Sequence, residues 1–237
     1  MQKVAQMSTS PKIFSLPAVS SGPYIARKKY GRQGLVALKI GKKMPRTNEC
    51  TLISFPSADS QQVRNHADFW FNYGYQKEDA GRSREAVRAY RRAIELVPSH
   101  KSSWLNLGII FHERKKLRAA ELCYEKARCA SPGCSLLYYN LGCLYDDLAD
   151  NETNQNPAMS RVFRRKAFDA YTHALEIDPD YADAHYNLAL HLTYQESLAA
   201  YPHWKAYLRS DPSSRWARRA RAFLNKMRSR CVLMHTS

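Results

Sequence analysis

Residues 70–98, WFNYGYQKEDAGRSREAVRAYRRAIELVP, are answered by residues 104–132, WLNLGIIFHERKKLRAAELCYEKARCASP. Trp70, Gly74, Ala86, Tyr90, Ala93 and Pro98 return as Trp104, Gly108, Ala120, Tyr124, Ala127 and Pro132, each pair 34 positions apart. A fixed period of that length predicts a row of stacked helical hairpins, because one such unit cannot bury its apolar face alone and its neighbours supply the cover. Within the first unit Ala86, Val87, Tyr90, Ala93, Ile94 and Val97 recur at helical spacing, while Arg84, Glu85, Arg88, Arg91, Arg92 and Glu95 fill the opposite side. Gly74 and Ala86 read as the small residues at a close crossing of two helices. Gly81 marks the turn between those helices, and Pro98 ends the second.

A third unit opens at Tyr138, Leu141, Gly142 and Tyr145, but the marks of its second helix, Ala167, Tyr171, Ala174 and Pro179, arrive late. Pro132 and Pro179 lie 47 positions apart instead of 34. The excess falls near 149–161 (ADNETNQNPAMSR), a polar, turn-forming stretch that predicts an insertion between the two helices, tolerated at small entropic cost. A fourth unit runs through Tyr186, Asn187, Leu188, Ala189, Ala200, Trp204 and Pro212, with Pro202 placed to delay or bend its second helix. Trp216, Ala220, Phe223 and Met227 then form the apolar side of a last helix whose remaining positions are crowded with arginine, as a capping helix requires. The reading is all-α. An array at 61–230 holds units at about 67–100, 101–134, 135–181 and 182–213 and a capping helix at about 214–229, between a disordered basic leader at 1–60 and a tail at 231–237.

The net charge of +16 is unevenly spread. Residues 1–66 hold eleven Lys or Arg against Glu49 and Asp59, and residues 205–237 hold nine against Asp211, while the stretch between is close to neutral. Basic ends of this kind, with Arg27, Lys28, Lys29 and Arg32 around Tyr30, open an alternative reading in which they bind nucleic acid or ribosomes; a solvated basic surface is the reading preferred. Pro11, Pro17, Pro23, Pro45 and Pro56 predict that the leader is disordered. The absence of acids before Glu49 is shared with organellar import leaders, yet these prolines break the amphipathic helix such a leader needs.

The six cysteines show no CxxC pair and no histidine at zinc-site spacing, so they read as reduced thiols with no metal. No run of about 18 apolar residues predicts a membrane span, and a cytoplasmic location is expected. There is no P-loop, GxSxG, HExxH or glycine-rich dinucleotide fingerprint, and the histidines have no partner at chemical spacing. No catalytic residue and no cofactor is expected.

Residues 67 to about 229 resemble the tetratricopeptide repeat (TPR) family through WFNYG, WLNLG, YYNLG and YNLA and the Ala, Tyr and Pro marks quoted above. The resemblance implies a right-handed superhelical solenoid whose first helices line a concave groove that receives a peptide or protein segment. Carrying the family's groove positions onto this chain picks Phe71, Tyr75, Glu78 and Asp79 in the first hairpin and Leu105, Asn106, Ile109, His112 and Glu113 in the second. Tyr139, Asn140, Cys143, Asp146 and Asp147 follow in the third, and Tyr186, Asn187, Leu190 and Tyr194 in the fourth. Asn72, Asn106, Asn140 and Asn187 share one place, where an amide either serves a ligand's backbone or belongs to the family's structural pattern. The family's carboxylate clamp is not matched, since only Asn106 fits among Phe71, Tyr75, Asn106, Leu136 and Asn140. The implied function is a non-enzymatic scaffold or adaptor holding a basic or amphipathic segment in an acidic, aromatic groove.

Overall fold

A computed structural model describes residues 61–235, with side chains through residue 229. The expected leader at 1–60 and the side chains of the expected tail lie outside the described residues. Among the described residues there are nine α-helices and no strand: α1 (Gln61–Asp79), α2 (Ser83–Leu96), α3 (Lys101–Glu113), α4 (Leu117–Ala130), α5 (Ser135–Glu152), α6 (Pro157–Ile177), α7 (Ala182–Tyr194), α8 (Ala200–Ser210) and α9 (Arg215–His235). They pair as hairpins α1/α2, α3/α4, α5/α6 and α7/α8. Successive hairpins join through α2 against α3, α4 against α5 and α6 against α7, and α9 packs on α8 as the cap. The all-α solenoid expected from the period is the fold.

The local causes repeat with the sequence. Each second helix stops at a residue whose successor is proline: Val97, Ser131, Asp178 and Asp211 all take extended backbone angles, because the proline ring excludes the helical conformation before it. Gly81 sits at φ 74° in the turn of the first hairpin, and the equivalent Lys115 and Glu196 hold the same left-handed conformation at φ 56° without glycine's freedom. Asn156 caps α6 by accepting from the Met159 N–H at 3.1 Å, with Pro157 at the first helical position. Pro202 falls in the first turn of α8, where its missing N–H leaves no helical bond unmade.

The small residues of the first helices face one particular partner. A methyl added to Gly74, Gly108 or Gly142 would come within 2.7, 2.4 or 2.4 Å of the ring of Tyr90, Tyr124 or Tyr171 respectively. Those tyrosines lie on α2, α4 and α6 and are fully buried, so each hairpin is closed by a ring laid flat on backbone. The fourth hairpin changes both members together, with Ala189 and Trp204 at the corresponding places, again fully buried.

The extra residues of the third hairpin do not form a loop, contrary to expectation. They lengthen α5 to 18 residues and α6 to 21, against 13 and 14 for α3 and α4, and leave a short turn at Thr153–Asn156. Ser160 and Thr153 hold the extension together: the Ser160 hydroxyl donates to the Ala149 carbonyl at 2.8 Å, and the Thr153 hydroxyl donates to the same oxygen at 2.9 Å. Beneath it Leu148, Ala149 and Phe163 are buried, so the polar stretch conceals an apolar seam.

Candidate functional site

One position on each first helix lies a single turn beyond the glycine, or alanine, that meets the buried ring. Glu78, His112, Asp146 and Thr193 occupy it in the four hairpins. Its side chain meets the polar edge of the same ring: the Tyr90 hydroxyl donates to Glu78 at 2.7 Å, the Tyr171 hydroxyl to Asp146 at 2.8 Å, and the Trp204 Nε1–H to the Thr193 hydroxyl at 2.9 Å. His112 stands edge-on to Tyr124 with centroids 6.4 Å apart. A buried phenol needs such a partner, and so the acids at this position are satisfied from within the fold.

Two adjacent carboxylates on α5 then tie three first helices side by side. Asp147 accepts from His112 Nε2 at 3.0 Å and from the Lys115 ammonium at 2.7 Å, toward α3. Burial alone would raise the Asp147 pKa, but these hydrogen bonds and charges outweigh it and hold the carboxyl below its usual value. Asp146, 7% exposed, turns toward α7 and α6: its Oδ1 lies 2.9 Å from His191 Nε2 and 3.2 Å from Arg164 Nη1. The second Nη of Arg164 bonds Asp150, whose pKa burial nevertheless pushes up.

Beside this network lies a cleft of about 160 Å³ lined by Asp146, Arg164, Asn187, Leu190, His191, Tyr194 and Gln195. Its lining is mostly apolar and includes one buried amide. Asn187 is 3% exposed, its Nδ2 is directed at Cys143 Sγ at 3.8 Å, and its Oδ1 has no hydrogen-bond partner. The Cys143 thiol beneath is fully buried and pushed up to about 12 by that burial, which removes it as a nucleophile near neutral pH. Among the described residues no group of three His, Cys, Asp or Glu could hold a metal ion.

Charge is sorted by helix. The first helices α1, α3, α5 and α7 carry nine Asp or Glu against Arg64, Lys77 and Lys101, a net of −6. The second helices α2, α4, α6 and α8 carry thirteen Lys or Arg against six acids, a net of +7, and α9 adds seven cations and no acid. Opposite signs thus occupy the two layers of the array.

Residues 76–134 match the tetratricopeptide repeat family model. That stretch carries tetratricopeptide repeats. Solved TPR-array structures agree. MamA superimposes with a TM-score of 0.52 at 19% identity over 62% of this chain and 80% of its own. A tetratricopeptide repeat protein from Parabacteroides merdae gives 0.54 at 22% identity over 70% of this chain and 61% of its own. PilF of Pseudomonas aeruginosa gives 0.53 at 16% over 70% and 78%. At these identities the likeness is one of fold. No curated protein matches the chain. Tetratricopeptide-repeat proteins generally act as protein-interaction scaffolds. Among the described residues no helix is long and apolar enough to cross a membrane.

The TPR array places the expected groove residues unequally. Tyr75 and Tyr194 are exposed, at 43% and 38%, Asp79 and Glu113 are exposed, and Phe71 and Ile109 are half-buried. Tyr139, Asn140, Tyr186 and Asn187 are buried, which corrects their expected exposure. Tyr139 packs on Tyr171 and Tyr181, and Tyr186 on Trp204, Tyr207 and Trp216. Asn106 also turns inward, donating to the Tyr90 hydroxyl of the preceding hairpin at 3.0 Å. Glu78, Asp146 and Asp147 are not open anions either, since phenol, guanidinium, imidazole and ammonium groups already meet them. Cations also reach this face, in Arg164 and Lys115.

Sequence reading missed Arg164 and Tyr171 on α6 and His191 on α7 as members of this network. The available signal was the recurrence of a polar residue one turn after each glycine, facing the tyrosine of the second helix. The expectation of six reduced cysteines holds for Cys123, Cys134 and Cys143, which are free thiols, but not for Cys129, which is disulfide-bonded.

Proposed function

We infer that this TPR array is a non-enzymatic adaptor that holds a basic or amphipathic segment of a partner protein along the face formed by its first helices. The observation that carries the reading is the separation of charge, −6 on the first helices against +7 on the second, around the exposed aromatic anchors Tyr75 and Tyr194. A field of one sign speeds encounter with a segment of the other and rejects acidic tails, while desolvated aromatics supply most of the affinity. Four expected groove residues, Asp146, Asn187, Leu190 and Tyr194, line the one cleft described above, which supports the same face as the contact surface.

The test is an immobilised panel of basic, neutral and acidic peptides probed with the intact chain and with Tyr75→Ala/Tyr194→Ala. Both tyrosines are exposed, so the fold persists in the variant. Basic amphipathic peptides bind the intact chain, bind more weakly as salt rises, and are lost from the variant. Equal binding by the variant, or preference for acidic peptides, refutes the reading.

A further inference from the structure

The cleft between the third and fourth hairpins has a selective hydrogen-bonding character. Its cationic donor is already committed: Arg164 gives one Nη to Asp146 and the other to Asp150. The Tyr171 hydroxyl beneath it also donates to Asp146. His191 directs Nε2 at the same carboxylate, which accepts only, so that nitrogen donates. Asn187 commits its N–H side to Cys143 and leaves Oδ1 without a partner in a residue 97% out of solvent. The valence left open is therefore an acceptor. A buried acceptor left unmade is costly, and an incoming donor recovers that cost.

The walls carry the rest of the description. Leu190 is buried beneath the cleft, and Tyr194 stands exposed at its mouth, its hydroxyl 3.4 Å from Arg219. An apolar wall and an aromatic edge suit a methylene stem. The Asp146, Asp150 and Arg164 group carries a net charge of −1, with Arg219 beside Tyr194 at the mouth, and α5 carries four acids and no Lys or Arg. The carboxylates of α5 favour a cationic side chain over an anionic one.

The geometry points to this cleft as a recognition pocket for one lysine or arginine side chain of the bound segment, the stem lying on Leu190 and Tyr194 and the head donating to Asn187. It deepens the groove reading and rests on it for the source of that side chain. The occupied volume, about 160 Å³, accommodates a single long side chain and not a second residue.

Nα-acetyl-lysine-N-methylamide and its arginine, norleucine and glutamate counterparts, titrated into the full chain, probe the pocket directly. NMR signals of the Leu190 methyls, the Asn187 amide and the His191 ring are the readout. Saturable shifts at these three residues are expected from the lysine or arginine probe, in the millimolar range that one side chain supplies, and not from norleucine or glutamate. Asn187→Leu abolishes them. Because that buried change can perturb the fold, Tyr194→Ala serves beside it and weakens the cationic probe about tenfold with the helical signal unchanged. Absence of shifts from either cationic probe, or equal shifts from norleucine or glutamate, overturns the inference. Basic peptides still held through Tyr75 in that event leave the groove reading standing, whereas loss of both removes it as well.

Discussion

Replacing Gly108 by alanine tests how each hairpin is closed. The added methyl would lie 2.4 Å from Cε1 and 2.5 Å from Cδ1 of Tyr124, more than an ångström inside ordinary carbon contact at about 3.5 Å. Tyr124 is fully buried, so its ring has no vacant space to enter. Overpacking of this kind costs about 1–3 kcal/mol, while alanine in place of glycine gains about 1 kcal/mol of helix propensity. A net loss of up to about 2 kcal/mol is expected, where an unhindered helical glycine would show a gain of about 1 kcal/mol. The absence of that gain is therefore diagnostic. Urea unfolding followed by circular dichroism gives the loss as a lowered midpoint at constant slope. Repeating the change in a Tyr124→Leu background removes the obstructing ring atoms, and there Gly108→Ala becomes neutral or stabilising. Stabilisation by Gly108→Ala in the native background, or an equal cost with the ring gone, refutes the account.

Asp183 titrates near pH 6 because burial disfavours its carboxylate and the charge of Asp211 opposes it further. The folded chain keeps that proton between about pH 4 and 6 where the unfolded chain releases it, so this contribution is fully present below about pH 4 and is lost as pH rises through 6. Asp183→Asn raises the thermal midpoint at pH 7.5 by the equivalent of up to about 3 kcal/mol but not at pH 4; equal effects at both values sink the assignment. Asp146→Ala strands Arg164, His191 and the Tyr171 hydroxyl and lowers stability by about 3–5 kcal/mol, whereas Asp79→Ala, at an exposed position, changes it by less than about 0.5 kcal/mol in the same denaturation assay. Gln155→Leu, in the exposed turn between α5 and α6, is expected to be neutral within about 0.5 kcal/mol. Removing residues 1–60 leaves the thermal midpoint unchanged, and a drop of about ten degrees shows that the array depends on them.

The hairpins were legible because their marks are local and periodic. Gly108 and Tyr124, or Val97 before Pro98, need only their own unit to state what they do. The candidate site depends on contacts between units, for which the period supplies neighbours but not pairings. Asp146 takes Arg164 from 18 residues ahead and His191 from 45 ahead, separations displaced by the lengthened third hairpin. Hence the acids of α5 read as ligand contacts when they are bracing for their neighbours. Asn106 illustrates the same limit, since its shared position with Asn140 and Asn187 suited a ligand backbone until its donation to Tyr90 was seen. The insertion misled for another reason: its polar composition matched a loop, but Leu148 and Ala149 on α5 and Phe163 on α6 were enough to extend the core.

The paired carboxylates of α5 give the array a gradient of cooperativity. Units stacked in a line unfold according to the strength of each nearest-neighbour coupling. Asp147 fastens the third hairpin to the second and Asp146 fastens it to the fourth, where the largest core cluster also lies. The first hairpin is held to the second by the smaller cluster around Tyr90 and Ile94, with Asn106 and the Asp68–His100 pair as polar stitches. Fraying therefore begins at the amino end of the array, and amide exchange rises from α7 toward α1. A segment bound along the first helices would anchor on the rigid α5–α7 end and draw the α1 end closed, so that Tyr75 engages last and releases first.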